Sequence, residues 1–265
     1  MSEQVSVFEA QVRGEVDMQI ATAKAYPRNV QKFRDGARAM ALSTAEVAAS
    51  CMYALPRKDS DGKKKTIKGA SVRFAEILAA NYGNCRLASR IIDTDGKHVT
   101  AQAVFSDVEN NVARSAETKR RITNSQGQRY NDDMVMTTAN AAAAIASRNV
   151  VLSAIPEAVW GPIYDEACAK AVGKGTTSFD EKRKALVALL AKSGATLDRV
   201  LHKFDVESEN DLDAEMCMEL EALRQAIRDG GCTVDDAFPA PGAEPEAEKP
   251  AKGLAGLQQK LGAEA

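Results

Sequence analysis

A chain of 265 residues, 45% hydrophobic and 27% charged, carries enough apolar material for one large domain, or for a medium domain with a small one. No apolar run approaches the roughly 20 residues of a membrane helix, and Met1 to Val16 mixes charges with small apolar residues, unlike a signal peptide, so a cytoplasmic protein is expected. The net charge of −2 conceals an asymmetry: residues 1–178 hold 24 Lys and Arg against 19 Asp and Glu, residues 179–265 hold 11 against 18, the pattern of a body that meets a polyanion and an end that meets proteins.

Residues 1–26 read as a helix, with Val5, Phe8, Val12, Val16, Ile20 and Ala23 recurring every three or four residues until Pro27 stops the pattern. Lys24, Tyr26, Arg28, Lys32 and Arg34 crowd this bend. Either Tyr26 stacks a base while the cations hold phosphates, or it packs on the body at a solvated helix end. Residues 30–55 predict one or two further helices, with Thr44 as an N-cap ahead of Val47 and Met52. The polar run 56–68 predicts a mobile surface loop. Its cations Arg57, Lys58, Lys63, Lys64, Lys65 and Lys68 can track a phosphate backbone, or simply be solvated beside Asp59 and Asp61.

Residues 69–83 predict a helix closed by Gly83. Three extended segments follow. Cys85, Leu87, Ser89 and Ile91 share one face, leaving Arg86 and Arg90 on the other. After the turn Asp93-Thr94-Asp95-Gly96, Val99, Ala101, Ala103 and Phe105 point inward, Thr100 and Gln102 outward. A second turn over 107–111 leads into a strand over 112–123 that ends in Lys119-Arg120-Arg121. The fold class expected is therefore α+β: a three-stranded antiparallel meander, a long central helix, flanking N-terminal helices and a small C-terminal helical module.

The central helix runs over 134–155, with Asp132 and Asp133 complementing its dipole and six alanines between Ala139 and Ala146 permitting close approach to the sheet. Arg148 in its body is either an anchor or a phosphate contact, and the anchor is favoured. A further helix over 157–172 contains Trp160, read as core or interface rather than as a stacking platform. The division expected is a binding and oligomerisation core over 1–172, a linker over 173–178, a partner-binding helical module over 179–238 and a disordered tail over 239–265. The linker GKGTTS lacks the first glycine and the preceding strand of a phosphate loop. In the tail, Leu254, Leu257 and Leu261 form a short apolar stripe that can dock in a groove or fray. Five unpaired cysteines and two histidines show no CxxC, HxxxH or HExxH spacing, so neither a metal nor another cofactor is expected.

The order of helix, basic meander and long helix resembles the core of phage-type single-strand annealing proteins, the superfamily of the RecT and Redβ recombinases. The strings that carry it are ATAKAYPRNV (21–30), GASVRFAEILAANYGN (69–84), RRITNSQGQRYNDDMVMTTANAAAAIASRNVVLSAIP (120–156) and DGGCTVDDAFP (229–239). The resemblance implies ATP-independent binding of single-stranded DNA, annealing of complementary strands through a duplex intermediate, and assembly into rings or filaments. It also implies that the C-terminal module recruits an exonuclease or a single-strand binding protein. Carried onto this chain, the groove for the DNA backbone comprises Arg86, Arg90, Arg114, Lys119, Arg120, Arg121 and Arg129. Lys24, Arg28 and the loop with Lys63, Lys64 and Lys65 are outer contributors, and Arg148 is a further candidate. An aromatic content of 5% argues against deep base stacking, and an annealer must leave base edges free.

Two rivals stand beside this reading. A metal-dependent nuclease wants clustered carboxylates, but Asp93, Asp95, Asp107 and Glu109 fall in turns, where acids are common for backbone reasons. An adaptor of a phage replication or recombination complex can share the fold without touching DNA.

Overall fold

The computed structural model describes residues 2–58, 64–124, 126–173, 179–228 and 232–239. Its elements in chain order are α1 (Ser2–Ala25), α2 (Val30–Ala41), α3 (Ala45–Ser50), β1 (Met52–Lys58), β2 (Lys64–Ala70), α4 (Val72–Tyr82), β3 (Cys85–Thr94), β4 (His98–Asp107), β5 (Val112–Arg121), α5 (Asp132–Ala154) and α6 (Glu157–Val172). After these come α7 (Phe179–Lys192), α8 (Leu197–Phe204), a 3-10 turn over 209–211, α9 (Ala214–Arg228) and α10 (Val234–Ala237). The fold is α+β: the antiparallel sheet β3-β4-β5 packs one face against α5, with helices around it. The expected tail from residue 240 on, Lys63 and all of the expected linker but Gly173 lie outside the described residues.

Side-chain caps start the helices where small polar residues stand. Asn29, Thr44, Ser71 and Asn131 accept from the backbone N–H groups of Lys32, Val47, Phe74 and Met134. Gly83 and Asn84 take consecutive positive φ values of 69° and 48°, which reverses the chain from α4 into β3. In β4 burial alternates strictly: Val99, Ala101, Ala103, Phe105 and Asp107 are buried, while His98, Thr100, Gln102, Val104 and Ser106 are not. Three of the inward residues are apolar and small or β-branched, so Ala142 and Ala146 of α5 can settle against them, all fully buried. Phe33, Phe74 and Tyr82 close the cluster; Trp160 joins its rim, its Nε1 donating to Ile155 O at 2.9 Å.

The run 56–68, read as a mobile loop, is corrected for its described residues, while 59–63 lie outside them. Residues 52–58 and 64–70 pair as an antiparallel hairpin, Met52 opposite Ala70 and Leu55 opposite Ile67. Local composition is polar, but Met52, Ala54 and Ala70 are buried, and α9 lies along β1. Tertiary cover outweighs local propensity here. A second core unites Ala49, Met52, Ala54, Cys168 and Val172 with Leu190, Val200, Leu220 and Leu223, so the helices after 179 share their interior with α3, β1 and α6.

Candidate nucleic-acid interface

Directly opposed residues of an antiparallel pair project to the same side. Outward Ser106 and Gln102 oppose Arg86 and Arg90 of β3, and outward His98 and Thr100 oppose Arg121 and Lys119 of β5. These four cations therefore share the sheet face away from α5, over which no helix or strand packs among the described residues. Small residues, Ala88, Val104 and Ser115, cross its middle. The face is shallow and solvent-facing, with cations at both ends.

Part of that charge is already engaged. Arg90 donates to Gln102 Oε1 at 3.0 Å and Gln102 donates to Glu117 Oε1 at 3.2 Å, a ladder across all three strands. Lys119 Nζ lies 3.0 Å from Asp95 Oδ2. The Lys119 ammonium, with the backbone N–H groups of Lys97 and His98, holds the Asp95 carboxyl well below its ordinary range. Arg86 Nη1 is buried without a hydrogen-bond partner, and Arg121 carries no ion pair among the described residues.

Arg114 and Arg120 oppose Phe105 and Val99, so they belong to the α5 side of the sheet, exposed because β5 is an edge strand. The run Lys119-Arg120-Arg121, expected as one cationic unit, is thus divided between two faces by the two-residue period. Arg129 caps its own loop through Asp132 at 3.0 Å, its backbone bridged to Thr123. Lys24 is exposed near the end of α1. In the hairpin, the backbone of Lys64 pairs with that of Lys58 and Lys65 with Arg57.

Arg28, expected as an outer contributor, is corrected to a structural role. Its guanidinium lies 3.6 Å from the Tyr82 ring centre, and donates to Asp107 Oδ1 and Oδ2 at 2.9 Å, Tyr82 O at 2.8 Å and Gly83 O at 3.1 Å. Its backbone N–H donates to Glu109 Oε2 at 2.8 Å, and Asn84 Nδ2 donates to Tyr26 O at 2.9 Å. Burial works to raise the Asp107 carboxyl, but Arg28 and Asn110 outweigh it and hold it at about 2. Tyr26 itself is 75% exposed, which excludes packing on the body of its own chain and leaves its ring free for stacking. Arg148 sits 4.8 Å from the Tyr53 ring and donates to Asn149 Oδ1 at 3.0 Å, half-buried on the other side of the molecule from the open face.

His98 is the member of the face that sequence reasoning missed. The alternation that turns Thr100 and Gln102 outward extends to it. Among the described residues no three His, Cys, Asp or Glu side chains gather as metal ligands, and no helix is long and apolar enough to cross a membrane. Compared with family models, curated proteins and solved structures, the chain matches none.

Proposed function

We propose that the chain binds single-stranded DNA through its sugar-phosphate backbone along the open face of β3-β4-β5, and pairs complementary strands without nucleotide hydrolysis. One observation carries the reading: the strand register gathers Arg86, Arg90, Lys119 and Arg121 on the sheet face away from α5, along which no helix packs among the described residues. Cations on an open sheet face, set among small residues with Gln102 and Glu117 between them, neutralise phosphates without burying bases, and backbone contacts supply affinity without sequence preference. The exposed ring of Tyr26 adds a surface on which a base can stack. Assembly of several copies, and recruitment of an exonuclease or single-strand binding protein by the C-terminal helices, complete the reading that the sequence resemblance implies.

The test is fluorescence anisotropy with a labelled oligonucleotide across a salt series. Replacing Arg86, Arg90, Lys119 and Arg121 together by alanine weakens binding at least tenfold and flattens the salt slope by about 3, at roughly 0.7 per lost single-strand contact. The Arg114→Ala/Arg120→Ala pair changes it less. Equal effects from both sets overturn the assignment to one face. Since Arg90 and Lys119 already bond to Gln102 and Asp95, an adaptor role is the second reading; no binding at low salt selects it.

A further inference from the structure

Asp95 begins the turn between β3 and β4, and its two carboxylate oxygens have different partners. Oδ1 accepts the backbone N–H groups of Lys97 at 2.9 Å and His98 at 2.6 Å, while the Asp95 N–H donates to His98 O at 3.1 Å. Gly96 follows with a φ of 78°, and the chain reverses. Oδ2 takes no part in that reversal. It lies 3.0 Å from Lys119 Nζ on β5 and 3.3 Å from His98 Nδ1 on β4.

The turn accounts for Oδ1 and leaves Oδ2 and its charge unexplained. An asparagine ahead of a glycine serves such a hairpin equally well, since its amide oxygen accepts the same N–H groups. Fold stability does not account for the charge either. The Lys119 and Asp95 side chains are 54% and 39% exposed, and ion pairs open to water contribute little. What the charge does reach is the open sheet face. Of the four cations gathered there, Lys119 is the one held by a carboxylate among the described residues, whereas Arg90 meets the neutral amide of Gln102. The carboxylate is fixed beside Lys119 by two backbone N–H groups, so it loses little freedom in pairing, and the ammonium and those N–H groups keep it ionised at neutral pH.

We infer that Asp95 is an internal competitor of the phosphate backbone, withholding Lys119 until a strand seated on Arg86, Arg90 and Arg121 brings a phosphate alongside. This role rests on the nucleic-acid reading of the face. A small free anion meets Lys119 alone and must displace a carboxylate already in place. A strand held at the neighbouring cations presents its next phosphate at high effective concentration, and the exchange goes forward. Part of the Lys119 contact is lost to that exchange, so affinity stays below what four free cations would give.

Fluorescence anisotropy with a labelled oligothymidylate at low salt tests this role. Asp95→Asn keeps the turn oxygen and removes the charge; binding tightens about threefold, the scale of one exposed ion pair, and the melting temperature is unchanged. Asp95→Ser, whose hydroxyl accepts in the same turn, tightens binding likewise. In a Lys119→Ala background the gain from Asp95→Asn disappears, because the competitor has lost its object. Unchanged or weaker binding by both Asp95 variants, or a gain that persists in full without Lys119, overturns the competitor. The reading of the face survives that result if alanine at Arg86, Arg90, Lys119 and Arg121 together still weakens binding. A wild-type chain that binds no oligothymidylate at low salt overturns both.

Discussion

The two faces of the three-stranded sheet are built from alternate residues of the same strands, yet they are opposite in chemistry. On one side Val99, Ala101, Ala103 and Phe105 are sealed under α5. On the other, Arg86, Arg90, Lys119 and Arg121 share a side with Ala88, Val104 and Ser115, and no helix packs along it among the described residues. Arginine appears in both settings. Arg28 is clamped at the buried edge by an aromatic ring, a carboxylate and two carbonyls, whereas Arg121 meets no acid among the described residues. Residue type therefore does not tell a structural cation from a ligand-facing one; the partners do.

The comparison breaks first on the sealed face. Phe105→Ala removes a ring that is 1% exposed and stacks near Tyr82, and should lower unfolding free energy by about 4 kcal/mol in urea titrations. A loss below about 1 kcal/mol means that this face is not the core. Arg28→Ala comes next. It leaves Asp107 buried without its cation and should cost about 3 kcal/mol, with oligonucleotide affinity of the folded fraction unchanged. Loss of affinity without loss of stability would return Arg28 to the binding surface. Arg28→Lys rescues only partly, because an ammonium cannot reproduce the forked contacts.

Acid supplies a third probe of the same clamp. The folded carboxyl of Asp107 is held at about 2, below the ordinary value of 3.8. A depressed carboxyl stabilises the fold above its unfolded pKa, and that stability disappears as pH falls from about 4 towards 2. The contribution is about 2 kcal/mol. Asp107→Asn should flatten this part of the pH–stability curve, and a curve identical to wild type refutes the clamp. Least change in stability is expected on the open face. Alanine at Arg121 should shift unfolding free energy by no more than about 0.5 kcal/mol, while weakening oligonucleotide binding measurably. A large stability loss at Arg121 would mean that the open face is covered after all.

The meander was legible because each of its signals is local. Asp95-Gly96 supplies its turn, the alternation from Val99 to Phe105 gives its inward side, and Asp132 and Asp133 mark the start of α5. The same period, applied to Lys119-Arg120-Arg121, already separates Arg120 from its neighbours. The β1-β2 hairpin was illegible because Met52 and Ala54 gain their cover from α9, far along the chain.

The sequence alone determined which residues of β4, β5 and the first part of β3 share a side, since a pleated strand alternates until a bulge shifts it, as between Ile91 and Asp93. Only the tertiary structure decided which side α5 would close and which cations would be taken up by the fold. Arg28 and Asp107 lie 79 residues apart, and their pairing exists only once α4, β3 and β4 have met. Burial and charge pairing depend on what arrives from elsewhere in the chain, and no local pattern records it.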